Sequence, residues 1–579
     1  MTDGLFRRAA RLASHLKMAA LRALFATIIA TTARLLGPLV VRSGIDDGIG
    51  GADRGLIATA ALIFLGLLVV QYLAQRIAQF SVATLGEKYL LQLRSTVFEH
   101  LMRLDMAFYG RSKTGVLVSR MTNDIESIQD FAEEGAVSLV INLLTISGVA
   151  AAMLFVDVTV AVQVFALIAV LLVLSRMFQR VAARAYQEVR TQIGRVLATL
   201  QEGITGVRVV QAFTREPEQA GQFGGVNEEY FEANMRTARA VSWYFPGVAF
   251  LRVAGYAVVL FFAGRRVIAG DLSFGSLVSL LMYLDWFFQP IINLANTYNQ
   301  LQSASAALEK LFRLLDTEPS VVDSEGVTDL PDRVQGAIRF EDVTFGYEPD
   351  LPVVVDIDLE IPAGQRVAIV GETGAGKSTL ARLVLRFYDP TEGAVLLDGL
   401  DLRRMTLASR PRHLVLIPQE GFLFNGTLRE NLRYARPGVS DDELWEVCRA
   451  IGIEEWVRRL PERLDTLVRE RGSRFSAGER QLVALARALL ADPAVIVLDE
   501  ATANLDPESE ARVERALGTL LEGRTAVVIA HRLRSAEQAD RVLMMDRGKV
   551  IADGTHAELV ASSEAYAELV SVWERGVLR

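Results

Sequence analysis

The sequence predicts an α-helical membrane unit of six spans, with long cytoplasmic helix extensions, followed by an α/β unit. Three observations carry this. Six apolar stretches lie within the first 301 residues. The links between them alternate short and long, and the long links keep helical periodicity with few breakers. From Ala337 onward, short apolar runs such as "RVAIV", "AVIVLD" and "AVVIA" alternate with helical stretches, the pattern of buried parallel strands.

The overall arithmetic agrees. A chain of 579 residues is too long for one ordinary core. Apolar residues make up 51% and charged residues 22%, which excludes a disordered chain. The net charge of -8 gives no electrostatic case for nucleic acid. Cys448 is the only cysteine, so an internal disulfide and a cysteine-rich metal site are both excluded.

Taken in order, residues 1–17 ("FRRAARLASHLK" within them) are basic and amphipathic. They read as a helix lying on the inner membrane surface, because no small-residue cleavage site marks a signal peptide. The membrane unit, residues 18–320, has spans at about 18–41, 56–76, 136–156, 158–178, 245–266 and 274–301. Leu56 to Ala74, Ala136 to Val156 and Val158 to Ser175 hold no charge, and about 20 apolar residues suffice to cross a bilayer. Only Asp157 parts the last two, so they form a tight hairpin. The other spans carry Arg22, Arg34, Arg252 and Asp285, as well as Pro246 and Pro290. Charges in a span line a cavity, pair with one another or snorkel, and Arg34, Arg252 and Asp285 are candidates for a cavity wall. Arg and Lys concentrate in the N-terminus and the two long links, which places those in the cytoplasm of a multi-pass protein of the cell membrane. Residues 321–336 are polar, with Gly326 and Pro331, and read as a linker to the unit 337–579.

The chemistry is concentrated in that second unit. Gly371, Glu372, Thr373, Gly374, Ala375, Gly376, Lys377, Ser378 and Thr379 form G-x-x-x-x-G-K-[ST] between a strand and a helix. Glycines let the backbone wrap around phosphate oxygens, and the helix start points N–H groups at them. Lys377 suits the β- and γ-phosphates of ATP, and the Ser378 hydroxyl suits Mg2+. Asp499 emerges from the strand "AVIVLD" as a Mg2+ ligand, and Glu500 follows it as a base for the attacking water.

Between these motifs, "RGSRFSAGERQLVALARALLADP" resembles the signature segment of the ATP-binding cassette (ABC) family. Phe475, Ser476, Ala477, Gly478 and Glu479 match that family's L-S-G-G-Q. The resemblance implies further roles. Tyr347 of "VTFGY" would stack on adenine. Gln419 of "LIPQE" would contact Mg2+ and the attacking water. Asp506 would end the loop that crosses to the partner, His531 would sense the γ-phosphate, and Glu470 of "LVRERG" would touch the membrane unit. In the membrane half, "RLDMAFYGRSKTGVLVSRMTNDI" and "VRVVQAFTREP" resemble the two cytoplasmic tips of an exporter-type half-transporter.

The resemblance implies a membrane ATPase that exports an amphipathic, drug-like, lipid or peptide substrate by alternating access. An importer of the same architecture, for example for a metal chelate, stays open, as does an ATP-gated membrane regulator, although Glu500 argues against the latter. A soluble cassette ATPase is excluded by the spans. The family works as a dimer in which each signature grips the partner's ATP. Ala477 and Glu479 depart from the usual glycine and glutamine beside an intact Lys377, Gln419, Asp499, Glu500 and His531. That combination resembles the catalytically competent half of a heterodimer, with a homodimer as the alternative.

Overall fold

The computed structural model describes residues 2–12, 16–331, 333–499, 506–530 and 532–577. The chain divides into two compact units. One comprises residues 1–101 and 115–316, the other residues 102–114 and 317–579.

The first unit is helical. A short helix α1 (Thr2–Leu12) precedes α2 (Lys17–Ser43), α3 (Arg54–Arg103) and, beyond α4 (Met106–Arg111), the segments α5 (Thr114–Ser119), α6 (Ile125–Asp130) and α7 (Ala136–Val156). Then come α8 (Val158–Thr205), α9 (Val207–Ala212), α10 (Glu216–Ala269) and α11 (Phe274–Leu315). Among the described residues, six helical segments are long and apolar enough to cross a membrane. The 50 residues of α3 make a rod of roughly 75 Å at 1.5 Å per residue, more than twice a ~30 Å hydrocarbon layer. The polar halves of these rods therefore lie outside lipid.

Local chemistry sets the breaks. Asp157 is the only residue between α7 and α8, and its carboxylate caps α8 by accepting the Val160 N–H at 3.0 Å. The same side chain pairs with Arg266 at 2.6 Å. Gly270, in the left-handed region at φ 82°, ends α10. Ser273 caps α11. The packed centre joins α7, α8, α10 and α11 through Met153, Val164, Tyr244, Leu280, Tyr283 and Phe287. Tyr244 stacks on Phe178 with centroids 4.0 Å apart and shares a hydrogen bond with Ser175. Outside the apolar zone, α8 and α10 are joined by ion pairs, Arg236 to Glu188 at 2.6 Å and Arg195 to Glu229. These are exposed, so they set register more than they add stability.

The second unit carries two sheets. The strands are β1 (Ile338–Phe345), β2 (Val354–Ile361), β3 (Arg366–Val370), β4 (Glu392–Leu397), β5 (Leu400–Asp401), β6 (Leu414–Ile417), β7 (Val495–Asp499), β8 (Thr525–Ile529), β9 (Arg541–Asp546) and β10 (Lys549–Gly554). One sheet is antiparallel in the order β2-β1-β4-β5. The other runs β10-β9-β3-β8-β7-β6, parallel except for the β10 edge. One core packs between the sheets around Phe340, Val343, Ile369 and Leu380, and a second packs around Leu444, Phe475 and Val483.

The segment ahead of β1 is docked rather than loose. Leu330 is buried, Thr328 bridges to Met405, and the Asp398 carboxylate accepts the N–H groups of Gln335, Gly336 and Ala337 at 2.6, 3.0 and 2.7 Å. The tip helix α4 also belongs to this unit. Its cap, Asp105, accepts from the Phe108 N–H, the Ser320 hydroxyl at 2.6 Å, and the N–H groups of Ser320 and Val321. Burial pushes the Asp105 carboxyl up, but these hydrogen bonds together hold it below its ordinary value.

Candidate functional site

The loop after β3 turns on three glycines with positive φ: Gly371 at 139°, Gly374 at 91° and Gly376 at 100°. A Cβ at 371 would lie 2.1 Å from the Met545 carbonyl oxygen, and one at 376 would lie 2.9 Å from that of Val353. Only glycine fits there, and the backbone of the loop is left facing the start of α12 (Lys377–Val384). Glu372, Thr373 and Gly374 are exposed at the crest, whereas Ala375 and Gly376 are buried. Lys377 is buried and folds its ammonium back onto the loop, donating to the carbonyls of Gly371 and Glu372 at 2.8 Å each. A phosphate entering the loop would take over that ammonium.

Sheet register brings the second carboxylate to the same edge. Ile529 of β8 pairs with Ile369 on one side and Asp499 on the other, so Asp499 stands level with the end of β3. Two strand spacings, roughly 9.5 Å, separate them, a gap suited to a phosphate and its cation. Gln419 follows β6 at the same edge of the sheet. Glu500, His531 and residues 501–505 lie outside the described residues.

Tyr347 is placed differently from a free stacking platform. Its hydroxyl is 3.1 Å from the Thr379 hydroxyl and accepts from Arg382 at 2.9 Å, and its ring meets Phe345 and Tyr388 edge-on. The Tyr347 carbonyl accepts from Arg111 of α4 at 2.8 Å. Burial, then the neighbouring Tyr347, pushes the Tyr388 hydroxyl above its ordinary value. Around these groups lies a cavity of about 380 Å³ lined by Gly110, Arg111, Tyr347, Arg382 and Tyr388. The sequence reading misses Arg382, although its position three residues beyond Thr379 on a helix is the available signal.

The signature segment forms the start of the helix Ala477–Ala491. Phe475 is buried against Trp456, and Ser476 is the cap. Ala477 is exposed. A Cβ on Gly478 would lie 2.6 Å from that of Ser509, so this glycine seats the helix against its neighbour Pro507–Leu521. Glu479 folds back into a capping box. Its carboxylate accepts the Ser476 N–H at 2.7 Å, and its own N–H donates to the Ser476 hydroxyl oxygen at 3.2 Å. Asp506 caps the neighbouring helix, and its hydrogen bonds from Ser509 hold its carboxyl below the ordinary value. Gln481 donates to the Pro418 carbonyl at 3.2 Å, tying the signature helix to the residue before Gln419. Glu470 is exposed in a single turn flanked by Arg469 and Arg471, both with positive φ.

Residues 21–291 match the family model for the ABC transporter transmembrane region, and residues 354–503 match the ABC transporter model. An uncharacterized ABC transporter ATP-binding protein of Bacillus subtilis, YknV, is 36% identical over 544 residues, covering 94% of this chain and 90% of that protein. The chain belongs to the ABC transporter family. An ATP-dependent lipid A-core flippase of Syntrophus aciditrophicus is 35% identical to this transporter over 490 residues, 84% of this chain and 80% of the flippase. The solved structure of a bacterial Atm1-family ABC exporter with ATP bound superposes with a TM-score of 0.79 at 26% identity, covering 96% of this chain and 99% of that one.

The transporter is thus of the exporter type, a membrane protein with a fused cassette ATPase, and the cassette implies ATP binding. Ser378 and Asp499 offer the hard oxygen donors that suit Mg2+. Among the described residues no cluster of three His, Cys, Asp or Glu could hold a metal ion.

Proposed function

We propose that this chain is the catalytic half of an exporter that moves an amphipathic or lipid-like substrate out of the cytoplasm. The observation that carries this is the shared edge of the parallel sheet, where the glycine loop, Asp499 and Gln419 stand together in a chain that also carries six candidate spans. ATP would lie with its phosphates in the loop, and Lys377 would transfer from the Gly371 and Glu372 carbonyls to the β- and γ-phosphates. Ser378, Asp499 and Gln419 would hold Mg2+, which neutralises phosphate charge when bound. Glu500 would orient and deprotonate the attacking water, and His531 would contact the γ-phosphate. Phosphate contact from Ser476 and Gly478 would come from the partner half.

The partner is read as a second, different half-transporter. The support is the altered signature, Ala477 and Glu479, beside an unaltered catalytic set. We read the N-terminus and the long links as cytoplasmic from their Arg and Lys content, and the cassette as cytoplasmic because six spans return the chain to the side of the N-terminus.

The test uses membrane vesicles from cells expressing the chain with its genetic neighbour. ATP-dependent accumulation of a fluorescent lipid inside inside-out vesicles, abolished by Glu500→Gln, is the expected result. Accumulation only in right-side-out vesicles would make the protein an importer. A homodimer of this chain hydrolysing ATP at two equivalent sites would overturn the asymmetric pairing.

A further inference from the structure

The four charges that interrupt the spans have different fates. Arg252 pairs with Asp285 at 3.2 Å, so that pair balances itself. Arg22 is exposed on the outer face of α2. Arg34 is half-buried, and its guanidinium lies over the Trp286 ring at 4.7 Å from the centroid. Among the described residues, no carboxylate and no hydrogen-bond acceptor is paired with it. A cation within a span is costly and ordinarily holds an acid or lines a polar cavity.

Arg34 does line a cavity. It has a volume of about 510 Å³ and is walled by α2, α3, α7 and α11. On α3 the wall carries Gln71, Gln75 and Gln79, spaced by four residues and so stacked on one helix face over roughly 12 Å. Asn142 and Asn293 face the same space. Glu133 and Glu134 line it just ahead of α7, and Glu133 is already engaged by Gln129 at 3.1 Å. Trp286 lies seven residues before Asn293 on α11, and Glu134 lies eight residues before Asn142 on the α7 side. Arg34 and the acids therefore mark opposite ends. An anion in this cavity is drawn to the Arg34 end and repelled from the other.

We infer that the cavity takes an amphipath with an anionic group, phosphate, sulfate or carboxylate, whose charge is met by Arg34 and whose adjoining polar atoms are met by the glutamine ladder. This rests on the export reading above and adds the charge of the substrate. The Trp286 ring holds the Arg34 guanidinium by a cation–π contact, and the guanidinium's fork of N–H groups suits a two-pronged contact with an oxyanion.

The experiment uses the full transporter in lipid nanodiscs, with Trp286 as reporter and Trp286→Phe to assign its signal. Three probes are titrated: dihexanoyl phosphatidic acid, dihexanoyl phosphatidylcholine and inorganic phosphate. The expected result is that the phosphatidic acid binds at least about tenfold tighter than the choline lipid, the size expected of one charge-assisted contact. Arg34→Gln should erase that preference while the choline lipid still binds, Arg34→Lys should restore part of it, and Arg22→Gln should leave it intact. Inorganic phosphate binding as tightly as the lipid would identify a free anion as the ligand. Equal binding of both lipids to the unaltered protein, or a preference surviving Arg34→Gln, would overturn the inference. Binding with the predicted preference but no ATP-dependent movement of either lipid would instead sink the export reading.

Discussion

Glu479 offers a perturbation whose two consequences run in opposite directions. Its carboxylate occupies the N-terminus of the signature helix, where the partner's nucleotide phosphate is expected, and it bonds the N–H of Ser476 at 2.7 Å. Glu479→Gln keeps the shape and removes the charge. The helix then loses a charge-assisted bond and a favourable charge at its dipole, about 1–2 kcal/mol together, or a few degrees in Tm for the cassette. Nucleotide binding should gain. A phosphate charge brought to about 7 Å from the carboxylate, at an effective dielectric of about 20–80, would repel Glu479 by about 0.6–2.4 kcal/mol. That corresponds to about a 3- to 50-fold fall in KM for ATP in the assembled transporter. The assay is steady-state ATPase activity against ATP concentration, alongside thermal unfolding of the same preparation. A lower Tm with an unchanged or higher KM would refute the reasoning, because Glu479 would then be an ordinary cap remote from the nucleotide.

The remaining predictions concern the tip and the helix seat. Arg111→Glu replaces the donor to the Tyr347 carbonyl with a repelling acid, and transport should fall more than ATPase activity; equal loss of both in matched preparations would indicate misfolding instead. Gly478→Ala brings a Cβ to 2.6 Å from that of Ser509 and should cost about 1–3 kcal/mol by overpacking, read as a lower Tm. Ser509→Gly in the same chain should recover most of that loss if the contact is the cause. Asp105 has a folded pKa below its unfolded value, so its docking of the tip is fully present above the ordinary carboxylate range and is lost as pH falls through the lowered value. Hydrogen exchange at the Ser320 and Val321 amides should therefore be protected at neutral pH, and Asp105→Asn should remove that protection without any change of pH.

What the sequence makes legible is what short-range chemistry determines. A run of about 20 apolar residues has few fates, so the spans are readable even where Arg34 or Pro290 interrupts them. The glycine loop is readable because its spacing, strand and helix are all local. Its positive φ values and the Met545 carbonyl packed against Gly371 give the physical reason for the pattern. The linker shows where this stops. Its polar residues with Gly326 and Pro331 read as a linker, but Asp398, some 60 residues away, collects the N–H groups of its last two residues, Gln335 and Gly336, and that of Ala337 beyond it. Partners that far apart leave no periodic trace. Tyr347 is intermediate: the aromatic is visible, while its engagement by Thr379, Arg382 and Arg111 depends on a helix and a tip folded against it.

Glu479 is the sharpest case, because its structural partner was visible all along in the spacing S-x-x-E, the pattern of a capping box. The sequence reading marks Glu479 as a departure from the usual glutamine beside the expected nucleotide, and the fold gives the same side chain a role as the cap of its own helix. The two roles are not rivals. An acid that caps its own helix presents the arriving phosphate with an N-terminus already neutralised, so binding must first displace the cap. Glutamine can cap in the same geometry without the charge, and that charge, rather than the length of the side chain, is what Glu479 adds to this signature beside the departure at Ala477.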